Sequence, residues 1–122
     1  LQSEGRGGNI PYAVAIAQPV VGGKKTVYLE IHPEAAKKRG IRDGDRVRIK
    51  SDVGSIEAIA RHYEGVRPDV VVLPNIHGHW AQGRWAKNRL PTGSASEVIV
   101  NKSEPISGLA TYYATKVTVE RV

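Results

Sequence analysis

The sequence predicts a mainly β domain, closed as a barrel, and three observations carry that prediction. Short apolar runs recur along the chain, and the best of them alternate apolar with polar side chains: TVYLEI at 26–31, RVRIK at 46–50 and KVTVER at 116–121. Glycine, proline and Asp-Gly punctuate the intervals between them. The helical signal is confined to one brief stretch after His32, too short to stand alone, as expected of a segment that caps a barrel end. With 122 residues the chain is expected to form a single domain over 1–122.

Each element follows from its residues. Residues 1–11 (LQSEGRGGNIP) are polar and glycine-rich and read as a flexible arm. YAVAIA at 12–17 reads as a strand, interrupted by Pro19 and Gly22-Gly23. In TVYLEI, Val27, Leu29 and Ile31 share one face, with Tyr28 and Glu30 on the other. Pro33 suits the first helical position, Glu34 the positive helix start, and Lys37, Lys38 and Arg39 its negative end. Gly40 supplies the left-handed stop, and Ile41 is placed to fold back onto Ala36. Asp43-Gly44 turns the chain into a strand with Val47 and Ile49 inward. Asp52-Val53-Gly54 turns it back, with Ile56, Ala58 and Ala60 inward and Ile59 breaking the alternation. Small inward alanines suit a narrow barrel. Val70–Leu73, Val98–Val100 and Lys116–Arg121 complete the expected strands, with long connections over 75–96 and 101–114.

Composition narrows the function classes. There is no cysteine, hence no disulfide framework and no thiolate metal site. No apolar run approaches the roughly 20 residues that span a bilayer, and no leader resembles a signal peptide; no membrane contact by this chain is expected, and its compartment stays open. The lack of any methionine predicts a processed piece or excised domain of something longer. The net charge of +6 is either solvated surface or the footprint of an anionic partner.

The segment PNIHGHWAQGRWAKNRL at 74–90 concentrates the unusual chemistry. It holds both tryptophans, His77 and His79, and Arg84, Lys87 and Arg89, and no acidic residue occurs between Asp69 and Glu97. His77 and His79 lack a neighbouring third ligand, so a metal site is not expected. As hydrogen-bond donors beside Gly78, where backbone can come close, they suit a flat ligand; Trp80 and Trp85 would stack on a ring or pack on the barrel. Arg84, Lys87 and Arg89 suit phosphate. Asn101 would read a heterocycle's edge or serve as a turn asparagine; Tyr112-Tyr113 and Lys116 are similarly open. His32 reads as helix entry and His62 as a strand end. No nucleophile elbow, P-loop or dinucleotide GxGxxG is present, and Ser55 and Ser94 follow glycine without an assigned base, so the chain alone does not read as a complete enzyme.

In order, Pro33-Glu34-Ala35, Gly40-Ile41-Arg42-Asp43-Gly44-Asp45-Arg46-Val47 and Ser51-Asp52-Val53-Gly54-Ser55-Ile56, then GHW, VIVN and KVTVERV, this string resembles the C-terminal molybdopterin-dinucleotide-binding domain of the dimethyl sulfoxide reductase family. Gly78-His79-Trp80 to Gly83 looks most like the branch of arsenate, tetrathionate and polysulfide reductases. The resemblance implies a double-psi β-barrel with short capping helices. It also implies molybdopterin guanine dinucleotide as cofactor, with molybdenum or tungsten ligated outside this chain. The expected partners are the remaining domains of a parent oxidoreductase; an iron–sulfur electron-transfer subunit is a further candidate. Carried over by position, the cofactor contacts fall on His77, Gly78, His79, Trp80, Asn101 and Lys116, joined by the phosphate candidate Arg84. The family's upstream histidine segment is not matched by Arg6-Gly7-Gly8-Asn9.

Two other readings use the same residues: a barrel binding single-stranded nucleic acid through basic and tryptophan side chains, and a small self-processing enzyme cleaved at Gly54-Ser55 or Gly93-Ser94. Replacing Arg84 and Arg89 together is expected to lower the molybdopterin content of the parent enzyme. Unchanged pterin content in the purified double variant would count against the cofactor reading.

Overall fold

A computed structural model describes residues 20–21, 24–25, 28–74, 94–111 and 114–122. Its main feature is one five-stranded sheet. The strands are β3 (Tyr28–Ile31), β4 (Arg46–Lys50), β5 (Ser55–His62), β6 (Val71–Val72) and β7 (Thr118–Arg121), in the spatial order β6-β3-β5-β4-β7. Two short strands, β1 (Val20–Val21) and β2 (Lys24–Lys25), pair antiparallel with each other. Every pairing in the main sheet is antiparallel except β3 with β5, which run parallel with Leu29 opposite Ala60. A parallel pair needs a crossover rather than a hairpin. Here the helix α1 (Pro33–Lys38) and β4 lie between the two strands in sequence.

The alternation read from the sequence becomes the core. Leu29 and Ile31 of β3, Val47 and Ile49 of β4, and Ile56, Ala58 and Ala60 of β5 are all buried. Val119 of β7, Ala35 and Ala36 of α1, Ile41 and Val98 complete the cluster. Ala58 and Ala60 are fully buried, consistent with a curved sheet closing on small side chains. Ile59 is half-buried on the outer face, which accounts for the break in alternation. The result is a mainly strand, barrel-like fold with short capping helices.

The local punctuation acts as expected. His32 caps α1, its Nδ1 accepting from the Glu34 N–H at 3.2 Å. At the other end Gly40 takes φ 66°. The Ile41 N–H then donates to the Ala36 carbonyl at 3.0 Å and the Gly40 N–H to the Lys37 carbonyl at 3.1 Å, the paired bonds of a Schellman ending. Asp43-Gly44-Asp45 does more than turn the chain. The Asp43 carboxylate accepts from the His62 N–H at 2.7 Å. The Gly44 N–H donates to the Ala60 carbonyl, and the Ala60 N–H to the Asp45 carbonyl, each at 2.8 Å. The turn before β4 is thereby fastened to the end of β5.

Two strand expectations are corrected. Val98–Val100 is not a strand. A 3-10 turn, Ala95–Glu97, ends at Val98 instead. The Ser94 hydroxyl and the Glu97 carboxylate close a reciprocal capping box there. Val70–Leu73 shrinks to a two-residue edge strand against β3, with Val70 and Val72 exposed, because only one of its edges is paired. The β1–β2 pair was not expected. The expected strand at 12–17, the arm at 1–11 and Val27 lie outside the described residues.

A side chain at Gly54 would collide with the Glu97 backbone carbonyl, which cannot yield as a flexible side chain would. Gly54→Ala should therefore cost about 1–3 kcal/mol of stability. The neighbouring exposed Val53→Ala should stay within about 0.5 kcal/mol of the parent. Urea unfolding of both variants checks the contrast.

Candidate cofactor-binding site

Of the residues singled out for cofactor contact, the structure describes Asn101 and Lys116. His77, Gly78, His79, Trp80 and Arg84, with the rest of 75–93 and Tyr112-Tyr113, lie outside the described residues. Asn101 and Lys116 are far apart in sequence, yet one hydrogen bond joins their immediate neighbours. The Val100 N–H donates to Thr115 Oγ1 at 3.1 Å. This bond replaces a strand ladder at the point where the chain leaves the core.

The supports of this pair are visible on both sides. Val98 is buried in the core and anchors the approach to Asn101. Val117 packs against the same core, and β7 begins one residue later, so the main chain around Lys116 is held by the sheet. Asn101 and Lys116 are both exposed. Beyond Asn101 the chain folds back on itself. The Thr111 N–H donates to the Lys102 carbonyl at 2.9 Å, and Thr111 Oγ1 bonds the same oxygen at 3.1 Å.

The donor set suits a phosphorylated heterocycle. An exposed amide offers one donor and one acceptor face, and an exposed ammonium offers a point charge to phosphate. Four of the arginines on or beside the sheet are committed to ion pairs. Arg46 and Arg48 flank Glu57 at 2.5 and 3.4 Å, Arg61 meets Glu30 at 3.4 Å, and Arg121 meets Asp45 at 3.2 Å. Lys116 belongs to none of these pairs. The charges of β4 and β5 therefore face water and each other, as the sequence pattern suggests. Among the described residues no group of three His, Cys, Asp or Glu side chains could hold a metal, and no helix is long and apolar enough to cross a membrane.

The two Gly-Ser serines have structural roles. The Ser94 hydroxyl caps the 3-10 turn, and Ser55 opens β5 opposite Lys50. Asp43 and Thr115 are residues that sequence reasoning gave no such tasks. The Ser-x-x-Glu spacing at 94–97 was a legible capping signal, whereas nothing local marks Thr115 as an acceptor.

Glu104, in the connection between Asn101 and Lys116, is held below its ordinary carboxylate value of 4.5. The Ser107 hydroxyl is the main cause, followed by the N–H groups of Ser107 and Ile106. Because folding lowers this pKa, the turn is fully held above the ordinary value and loosens as pH falls through the lowered one. The protection of the Ile106 and Ser107 amides, taken relative to their intrinsic exchange at each pH, should fall across that acid window. In Glu104→Gln the protection should lose this pH dependence, and an unaltered protection profile would contradict the assignment.

Comparison with known proteins agrees with this architecture. Residues 13–116 match a family model described as "Molydopterin dinucleotide binding domain". The molybdopterin-containing subunit of arsenate respiratory reductase from Shewanella sp. (strain ANA-3) is 35% identical over 129 residues, covering 100% of this chain and 15% of that protein. A protein described as the catalytic chain of a dimethyl sulfoxide reductase, from Halobacterium salinarum, is 31% identical over 93 residues, covering 76% of this chain and 10% of that protein. The chain thus spans a small fraction of the length of these relatives. Acetylene hydratase from Pelobacter acetylenicus superposes with a TM-score of 0.61 at 13% identity, over 79% of this chain and 14% of that one, a likeness of fold. A family match over residues 13–116, together with relatives 35% and 31% identical across most or all of the chain, makes this a molybdopterin-dinucleotide-binding domain of the dimethyl sulfoxide reductase family.

Proposed function

We infer that this domain holds molybdopterin guanine dinucleotide within a larger molybdenum or tungsten oxidoreductase, and that Asn101 and Lys116 contact the cofactor directly. The observation that carries the residue assignment is the Val100–Thr115 hydrogen bond, which brings the two segments bearing these side chains together at the margin of the sheet. Asn101 would pair with a heterocycle edge, and Lys116 would neutralise phosphate charge. His77, Gly78, His79, Trp80 and Arg84 are proposed to complete the contact from the basic, aromatic segment. The cofactor, when bound, supplies redox chemistry at molybdenum or tungsten, whose remaining ligands come from outside this chain.

Several finer assignments belong to the same proposal. The parallel β3–β5 pair inside an otherwise antiparallel sheet supports a double-psi β-barrel. Similarity along the whole of this chain to an arsenate respiratory reductase subunit supports the arsenate-reductase branch. The remaining domains of a parent polypeptide are its proposed partners, with an iron–sulfur subunit beyond them; 1–122 is proposed as one domain of that polypeptide, with 1–11 as its arm. With the family established, the anionic partner of the basic charge is a dinucleotide cofactor, and the nucleic-acid reading falls away.

Hydrogen bonds to charged groups contribute about 1.5–3 kcal/mol, so Lys116→Ala should weaken cofactor retention roughly tenfold or more. Asn101→Ala should act in the same direction. Pterin content per folded parent enzyme is the measurement, and full occupancy in the double variant would sink the assignment of these residues.

A further inference from the structure

The connection between Asn101 and Lys116 is built as a prong. Ser103 bridges Ala110 in antiparallel register. The Glu104 N–H donates to the Leu109 carbonyl at 2.8 Å, and the Gly108 N–H to the Glu104 carbonyl at 2.9 Å, with Gly108 at φ 72°. The Glu104 carboxylate turns back into the loop. One oxygen accepts from the Ile106 N–H at 3.0 Å, and the other accepts from both the N–H and the hydroxyl of Ser107. The Ser107 hydroxyl oxygen accepts in turn from the Leu109 N–H at 3.3 Å. Pro105 restricts the backbone further.

This internally bonded turn holds apolar side chains outward. Ile106 is 95% exposed and Leu109 is 70% exposed. A turn that only connects strands is served by polar residues at its tip. Here the one charged side chain between Ser103 and Ala110 has its oxygens engaged by the turn itself, which lowers the desolvation cost of covering the tip. A rigid loop loses little conformational entropy on docking.

We propose that residues 103–110 are a docking prong that inserts Ile106 and Leu109 into an apolar recess of the remainder of the same polypeptide. The occupant follows from two observations. The chain covers only 15% and 10% of the lengths of its relatives, so the body against which such a domain packs is the rest of one long chain. The prong is also bracketed by Asn101 and Lys116, so whatever encloses the cofactor from the far side lies next to it; this second argument rests on the cofactor reading above.

The test uses the full-length parent enzyme with Ile106→p-benzoylphenylalanine, and separately Leu109→p-benzoylphenylalanine in case the first position does not tolerate the ring. After irradiation of the native enzyme, digestion and mass spectrometry should find cross-links from either position to peptides of the same chain outside these 122 residues. Cross-links only to a second copy or to a separate subunit overturn the proposal, as does cross-linking no greater than in urea. Pterin content of the Asn101→Ala and Lys116→Ala enzyme is read in parallel. Full occupancy there with intrachain cross-links intact would sink the cofactor contacts and leave the prong standing.

Discussion

The structure depends on β5 being hydrogen-bonded along both edges. Its first half pairs with β4 through a tight hairpin, and its second half pairs with β3, which arrives from much earlier in the chain. The local pairing has a small loop-closure cost, while the parallel one requires α1, its Schellman ending and the Asp43–Asp45 turn to bring the chain round. The hydrogen bonds from Gly44, Ala60 and His62 fix the place where that crossover meets the strand. The small residues of β5 let the facing side chains of β3, β4 and β7 meet over it.

This arrangement sets the candidate ligand segments at the margin of the sheet. β4 pairs with β7 on its far side, so the C-terminal strand is part of the rigid frame. The segment entering β7 therefore inherits a defined position, and Thr115 uses it to hold Val100. The close approach of Gly54 to Glu97 adds a second tie, from the β4–β5 hairpin to the 3-10 turn that leads to Asn101. Both candidate ligand segments are thus referred back to the same central strand, and a cofactor bound there would be held by the frame rather than by free loops. Exposed ion pairs on the outer face add little to stability, but Glu57 between Arg46 and Arg48 offsets the repulsion of the two like charges on β4.

The outer face also carries Arg61 over the Tyr28 ring at 5.4 Å and near the Tyr63 ring at 5.9 Å. Arg61 shares the outward face of β5 with Ile59, which is half-buried. Cation–π contact and the Glu30 carboxylate together orient the guanidinium. A charge that the sequence assigns to the solvent face is thus held between aromatic rings and a carboxylate.

By itself the sequence determined the elements whose causes are local. The alternation of RVRIK, the small inward residues of Ser55–His62, the His32-Pro33 entry to the helix and the Gly40-Ile41 exit are set by side-chain direction, capping and the left-handed preference of glycine, all of which act within a few residues. The ordered motifs were enough to identify the family. Only the tertiary structure decided what depends on distant partners. Val98–Val100 has strand composition, but its N–H groups meet a turn carbonyl and the Thr115 hydroxyl instead of a ladder. Val70–Leu73 is apolar throughout, but it lies at an edge and keeps only two paired residues. Asn101 and Lys116 carry no local mark of proximity; the Val100–Thr115 hydrogen bond joins their neighbours across a long connection. The prong followed the same logic, since Glu-Pro-Ile-Ser-Gly reads as a polar connection until the structure turns the carboxylate inward and the isoleucine out.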